Sequence, residues 1–267
     1  MMENVVQRQQ QHVILFYKYH PLAKEEAVVE LYRSALERLC TGLNLQGRIL
    51  VGCNEHQSEG INGNLAGILP NLKAFTQALM QYDPREASNS NSNSNHLSMS
   101  IQDPDATHGL QAIIDQFWND CRIFYEQAKC PENPLLLSET EFKWSSAGSC
   151  ETETLFPDLN IKLVKEMIGT GGVLASIPLE ETSKGYLTPQ QWHERLTQIK
   201  SNNDDDTLLI DCRNTKEWQI GHFPQALDPN TTTFGQFPTW VQQHSQSLAN
   251  KKILMYCTGG IQEYGYH

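Results

Sequence analysis

Two short apolar runs restrict what the second half of this chain can fold into: Thr207-Leu208-Leu209-Ile210-Asp211 and Lys252-Ile253-Leu254-Met255-Tyr256. Both have the length of a strand. Helical patterns surround them. Thr188 is placed to cap a helix whose first position is Pro189, and Trp192, Leu196 and Ile199 recur along one of its faces. A short helix carrying Glu217 and Trp218 and a second helical stretch from Phe237 to Leu248 fill the interval between the runs. Strands that alternate with helices pair in parallel, so the second half reads as an α/β sheet.

Cys257 follows the second run directly and precedes Thr258-Gly259-Gly260-Ile261. In parallel α/β sheets, sites lie just past the carboxyl ends of the strands. A glycine-rich loop can turn successive N–H groups toward one point as a nest for an anion. The thiolate is the reactive form of cysteine, so such a nest is what sulfur chemistry at Cys257 requires. The plainer alternative is a small buried hydrophobe, the usual state of a free cysteine.

The first half reads differently. Val13 to Tyr17 is a strand, and Ala27, Val28, Leu31, Tyr32, Ala35, Leu36 and Leu39 recur at helical spacing, with Gly42 as the expected stop. Gly47 to Val51 is a second strand, and Glu59 to Gly67 reads as a third strand or a hairpin, punctuated by glycine. Asn71 is expected to cap a helix carrying Leu72, Phe75 and Leu79. Residues 83–108 are polar with an Asn-Ser repeat, too poor in apolar side chains to offset their ordering entropy, and read as a disordered insertion. Another amphipathic helix carries Leu110 to Tyr125, ended by Pro131 and Pro134. Strands are expected around Phe142 and from Ile161 to Met167. The order strand, helix, strand, strand, helix, strand is the ferredoxin-like split βαβ pattern. The expected division is therefore 12–168 for a ferredoxin-like (acylphosphatase-like) α+β domain, 169–185 for a linker and 186–267 for the α/β domain.

The formal charge is −11, with 20 Lys plus Arg against 31 Asp plus Glu, which argues against bulk coating of nucleic acid but leaves room for a local basic groove. No apolar stretch reaches the length of a membrane span, and the first residues lack the apolar core of a secretory signal. The 7 cysteines are odd in number, widely spaced and without a CxxC pair. Reduced thiols in a cytoplasmic setting fit this best. Cys53 with His56 is the nearest approach to a metal pair and lacks the four ligands of a structural zinc site.

Leu209-Ile210-Asp211-Cys212-Arg213-Asn214, Glu217-Trp218, Gly221-His222-Phe223-Pro224-Gln225-Ala226 and Tyr256-Cys257-Thr258-Gly259-Gly260-Ile261 together resemble the rhodanese pattern. The Thr-Gly-Gly-Ile wording resembles the tRNA uridine hydroxylase family in particular. So do Tyr17-Lys18-Tyr19, Gly47 to Val51, Glu59-Gly60-Ile61-Asn62-Gly63, Phe156-Pro157 and Tyr186-Leu187-Thr188-Pro189. The resemblance implies oxygen-dependent hydroxylation of a wobble uridine in tRNA to 5-hydroxyuridine. It implies Cys257 as the active-site residue, working through a persulfide, with the N–H groups of Thr258, Gly259, Gly260 and Ile261 cradling its anion. It implies the tRNA anticodon arm as partner, molecular oxygen as co-substrate, and neither metal nor organic cofactor.

Other residues carry two readings each. Asp211 and Arg213 either touch substrate or form a structural ion pair beneath the loop. His222 is a base or a turn histidine that only hydrogen-bonds. Arg48 and Asn62 are candidates for RNA contact, while Gly60, Asn62 and Gly63 are equally readable as turn residues needing positive φ. Phe117, Trp118 and Phe124 read as core rather than a stacking platform.

The match breaks after Ile261. The family's loop continues with an arginine and a second cysteine, where this sequence has Gln262 and Glu263. Glu263 would disfavour a thiolate by like charge. With His267 last, the rhodanese-like domain is expected to be incomplete, leaving apolar surface from Leu208, Ile210, Ile253 and Met255 exposed. Two rival functions follow: a general sulfurtransferase, and a catalytically inactive binding module.

Overall fold

The alternation of buried and half-buried residues along Gln11–Tyr19 (β1) puts Ile14 and Phe16 on one side of the strand, and both are fully buried. The computed structural model describes residues 10–53, 58–81, 104–129, 134–146, 155–172, 187–201 and 206–259. The chain divides into two compact units, Met1–Met167 and Ile168–His267.

In the first unit β1 is followed by α1 (Glu26–Gly42), β2 (Gln46–Cys53), β3 (Ser58–Ile68), α2 (Leu69–Gln81), α3 (Pro104–Ala128), β4 (Phe142–Ser146) and β5 (Leu159–Val164). The sheet order is β4-β1-β3-β2-β5. β1 is antiparallel to β3 and β4, β2 is antiparallel to β3, and β5 joins β2 in parallel. The first four strands have the ferredoxin-like arrangement, to which β5 adds an edge. The core lies between this sheet and the helices, where Phe16 packs on Phe75 and Phe142 with ring centroids 5.4 and 5.6 Å apart. α3 adds a further layer through Phe117 and Phe124 against Tyr32.

α1 does end on Gly42, as expected, and a Cβ there would lie 3.1 Å from Ile113 of α3. The chain turns two residues later at Asn44, with φ 49°. Several local expectations need correction. Asn71 does not cap α2, which starts at Leu69; its side-chain amide donates to the Leu43 carbonyl at 2.7 Å, satisfying a group left over at the end of α1. α3 begins at Pro104, so residues 104–108 are helical, not part of an insertion. Proline suits a first helical turn, and packing further along the helix carries the extra turn. The rest of that expected insertion lies outside the described residues. Gly60, Asn62 and Gly63 lie within β3, not in a turn; of the three, Gly60 has positive φ, +110°. The expected strand from Ile161 to Met167 runs from Leu159 to Val164.

The second unit contains α4 (Pro189–Lys200), β6 (Thr207–Asp211), α5 (Thr215–Ile220), α6 (Phe237–Gln243), α7 (Ser245–Leu248) and β7 (Lys252–Tyr256). Thr188 caps α4, accepting from the Gln191 amide at 3.3 Å, with Pro189 in the first turn. The stretch from Phe237 to Leu248 is two helices broken at His244 rather than one. β6 and β7 pair in parallel, Asp211 opposite Tyr256. Their core is small: Ile210, Cys212 and Phe237, with Trp240, Met255 and Cys257 packed against it. Of the four apolar side chains expected at the surface, Ile210 is buried, Leu208 and Met255 are half-buried, and Ile253 is exposed.

Candidate active site

β6 ends on Asp211 and β7 on Tyr256, and the register places the two side by side. The Asp211 side chain is fully buried. Arg213 reaches back to it with two nitrogens, Nε at 2.9 Å and Nη2 at 2.6 Å. The Tyr256 hydroxyl donates to the same carboxylate at 2.7 Å. The Arg213 backbone N–H adds a fourth bond at 3.0 Å. Burial alone would raise the carboxyl's pKa, but these donors outweigh it and hold Asp211 below the ordinary carboxylate value. Burial, then the bond to Asp211, pushes the Tyr256 phenol up to about 12. Hydrogen bonding to Asp211 raises Arg213, so all three keep their ordinary charge states at neutral pH.

The network reaches outward on both sides. Arg213 donates to the Gly221 carbonyl at 2.6 Å, fixing the end of α5. The Phe223 N–H donates to the Tyr256 oxygen at 3.2 Å. Trp192 of α4, Phe223 and Tyr256 form an aromatic group, with Phe223 4.9 Å from Tyr256 and edge-on to it. Asn214 caps α5, and its side chain also binds Glu217. Glu217 in turn accepts a bond from the Thr258 hydroxyl at 2.7 Å. The residue after Cys257 is thereby tied to the helix that follows β6.

Cys257 forms no disulfide among the described residues and is half-buried, just past the end of β7. It is partly buried and rests against the small core of this unit. Gly259 is buried and Thr258 exposed. Gly260, Ile261, Gln262 and Glu263 lie outside the described residues, as does the loop holding His56.

The other candidates divide cleanly. Asp211 and Arg213 form an ion pair at the end of β6. His222 stacks on Trp218 at 3.7 Å and shares a hydrogen bond with the Trp218 carbonyl at 2.9 Å, the arrangement of a structural turn histidine. Cys212 is buried, and Phe117 and Phe124 are core. Trp118 is half-buried and donates to the Ala78 carbonyl at 3.0 Å. Arg48 is exposed on β2 and Asn62 half-buried on β3, both in the first unit. Among the described residues, no group of three or more His, Cys, Asp or Glu is placed to hold a metal ion. Sequence reasoning gave no role to Tyr256, Glu217 or Trp192. The available signal was register: if the two strands pair end to end, Asp211 must meet Tyr256.

Residues 11–167 match the UPF0176 acylphosphatase-like domain, and residues 194–266 match the rhodanese-like domain. The chain belongs to the UPF0176 family. Its curated relatives include a tRNA uridine(34) hydroxylase of Aster yellows witches'-broom phytoplasma, 28% identical over 93% of this chain and 58% of the relative. Another, from Bacillus mycoides, is 30% identical over 93% of this chain and 56% of the relative. A third, from Brucella anthropi, is 40% identical over 47% of this chain and 37% of the relative. The UPF0176 chain described here thus spans a little over half the length of the first two. Among its described residues, no helix is long and apolar enough to cross a membrane.

Proposed function

We propose that this UPF0176 chain acts on tRNA and hydroxylates the wobble uridine at C5, with Cys257 as the reactive sulfur. The observation that carries the reading is the placement of a half-buried cysteine immediately past β7, one residue beyond the Asp211–Arg213–Tyr256 network. The alignment of almost the whole chain with tRNA uridine(34) hydroxylases supplies the substrate.

Roles follow from chemistry. Asp211, Arg213 and Tyr256 brace the ends of both strands, so the loop after Cys257 starts from a fixed frame. The N–H groups of Thr258 to Ile261 cradle the sulfur anion, as thiolate or persulfide. In the reaction, the uridine C5–H becomes C5–OH, one atom of molecular oxygen enters, and the other leaves as water. Two thiols of a dithiol reductant supply the two electrons and two protons and become a disulfide. No metal or organic cofactor is needed in this scheme, and a compartment of reduced thiols, the cytoplasm, suits it. The anticodon arm is the partner that presents a wobble base.

Nucleoside mass spectrometry of tRNA from cells lacking the gene tests this. Re-expression of the chain should restore 5-hydroxyuridine, Cys257→Ser should not, and growth under oxygen-18 should label the new hydroxyl. Unchanged 5-hydroxyuridine in the deletion strain would overturn the proposal.

The rhodanese-like match over 194–266 favours a second reading, sulfane-sulfur transfer. Here a Cys257 persulfide passes its outer sulfur to a nucleophile and returns to the thiolate. Thiosulfate-to-cyanide transfer abolished by Cys257→Ser would favour it; absence of transfer by the intact protein would remove it.

A further inference from the structure

We propose that the face of the first unit's sheet turned away from α1 and α2 is a binding surface for unpaired ribonucleotides, the bases of an RNA loop. This deepens the reading that the chain acts on tRNA, but its test is one of binding and stands apart from the chemistry at Cys257.

The argument starts from register. Residues directly opposite across a β-ladder carry their side chains on the same face. Ile14, Phe16, Ile49, Val51, Ile61 and Leu65 are fully buried, which fixes the core side of the sheet. The alternate residues therefore define the other side. One row across four strands is Tyr17, Asn62, Leu50 and Lys162. The next row, across five, is Lys143, Leu15, Asn64, Arg48 and Asn160. Arg48, Lys143 and Lys162 are exposed, and the other members of the rows are half-buried.

Charge is the first discriminator. The chain as a whole is −11, yet these two rows hold three cations and no acid. A random sample of this composition would lean the other way. Local positive charge within an acidic protein attracts a polyanion without making the molecule a general nucleic-acid coat.

Side-chain type is the second. Tyr17 offers a ring, with the Lys143 ammonium 4.9 Å from its centroid. Aromatic side chains stack on any base, and cations beside them reach the backbone. The amides of Asn62, Asn64 and Asn160 can read base edges, and such edges are open only in single strands and loops. The side-chain oxygen of Asn64 is buried and accepts no hydrogen bond among the described residues. A group of that kind is costly to leave unmet, and a base amino group or a ribose 2′-hydroxyl carries the donor it lacks. A peptide or a lipid surface would use the cations but not the flat, amide-rich rows.

The test is equilibrium binding of the full chain to an RNA hairpin with a seven-base loop, against the same stem closed as a plain duplex. We expect preference for the loop. Arg48→Gln with Lys162→Gln should weaken loop binding about tenfold and flatten its salt dependence by roughly 0.7 in log–log slope for each phosphate no longer neutralised. Tyr17→Leu should weaken binding about fivefold or more without altering the slope. Lys73→Glu with Arg122→Glu, exposed and on helices, should bind as the unaltered chain does. All variants are checked for unchanged melting. Equal affinity for loop and duplex, no binding to either, or sheet-face variants that bind as tightly as the unaltered chain would each overturn the inference. So would helix-side variants that lose as much. If the loop binds through this face while its uridine stays unmodified, the face stands and the proposed reaction falls.

Discussion

Asp211 and Tyr256 meet at the carboxyl ends of adjacent parallel strands, the phenol donating to the carboxylate at 2.7 Å. Arg213 closes on the same carboxylate from the other side. Two strand ends and the start of the next helix are thereby joined through one fully buried side chain. Removing the shared acceptor leaves a guanidinium and a phenol without their partner. Asp211→Ala should therefore cost the second unit about 3 kcal/mol, in the range for breaking one partner of a buried pair. Urea denaturation read by tryptophan fluorescence checks it. A loss under about 0.5 kcal/mol would show that the network is ornamental.

The same carboxylate sets an acid limit. Its donors overcome burial and hold its pKa below the ordinary value. As pH falls, the unfolded chain therefore takes up the proton before the folded one does. The stabilisation is complete above the ordinary carboxylate range, about pH 4, and is lost as pH drops through the folded value. The difference in unfolding free energy between the unaltered chain and Asp211→Asn should be flat from roughly pH 5 to 8 and shrink below about pH 4. A gap that stays constant down to acid unfolding would contradict this.

Tyr256 sets a limit at the other end. Its phenol is pushed up to about 12, first by burial and then by the bond to Asp211. A raised value means stabilisation present below the ordinary tyrosine range, about pH 10, and lost as pH rises through the folded value. Tyr256→Phe removes one donor to Asp211 and the acceptor for the Phe223 N–H, and should cost about 1–2 kcal/mol. In a phenolate absorbance titration of the folded protein, the component that ionises at about pH 12 should be missing from this variant.

What could be read in advance was what is local. Thr188 with Pro189, the strand runs and the Asp211–Arg213 pair depend on neighbours a few residues away. The strand order of the first unit was legible at the level of alternation, but β5 pairing in parallel with β2 was not, because nothing near Leu159–Val164 encodes its partner. Asn71 looked like a cap because asparagine favours caps; its actual partner, Leu43, is 28 residues away. The tie from Thr258 to Glu217 spans 41 residues and needs the β6–β7 register before it can be seen. The site was thus half legible: its sulfur from the strand-to-glycine-loop transition, its bracing phenol only from tertiary pairing.

Gly63 sits beneath a fully buried ring. A Cβ there would lie 2.2 Å from the Phe16 Cζ, and Phe16 is itself packed against Phe75 and Phe142. The ring has nowhere to retreat, so Gly63→Ala should destabilise the first unit by about 1–3 kcal/mol. Gly60→Ala should be worse, because φ is +110° and the new Cβ would lie 2.0 Å from the Lys18 carbonyl oxygen. Pairing the overpacked glycine with a smaller ring position, Gly63→Ala with Phe16→Leu, should recover part of the loss, while Gly60→Ala has no such rescue. Thermal melts of these variants distinguish a side-chain clash from a backbone one.

The sulfur can be tested without any substrate. Cys40 and Cys121 are fully buried, and burial is the main cause that raises their thiols above the ordinary range. Cys212 is 1% exposed. Cys257 is half-buried and stands past a strand end. Reaction with an alkylating agent requires access and thiolate. Brief alkylation of the folded protein near neutral pH, followed by peptide mapping, should label Cys257 at least about tenfold faster than those three, and the difference should vanish once the chain is unfolded. Cys257→Ser should melt within about 1 kcal/mol of the unaltered chain, since a half-buried thiol contributes little packing. Labelling of Cys257 as slow as that of Cys212 would show a sulfur that does not react, and the proposed chemistry would have no nucleophile.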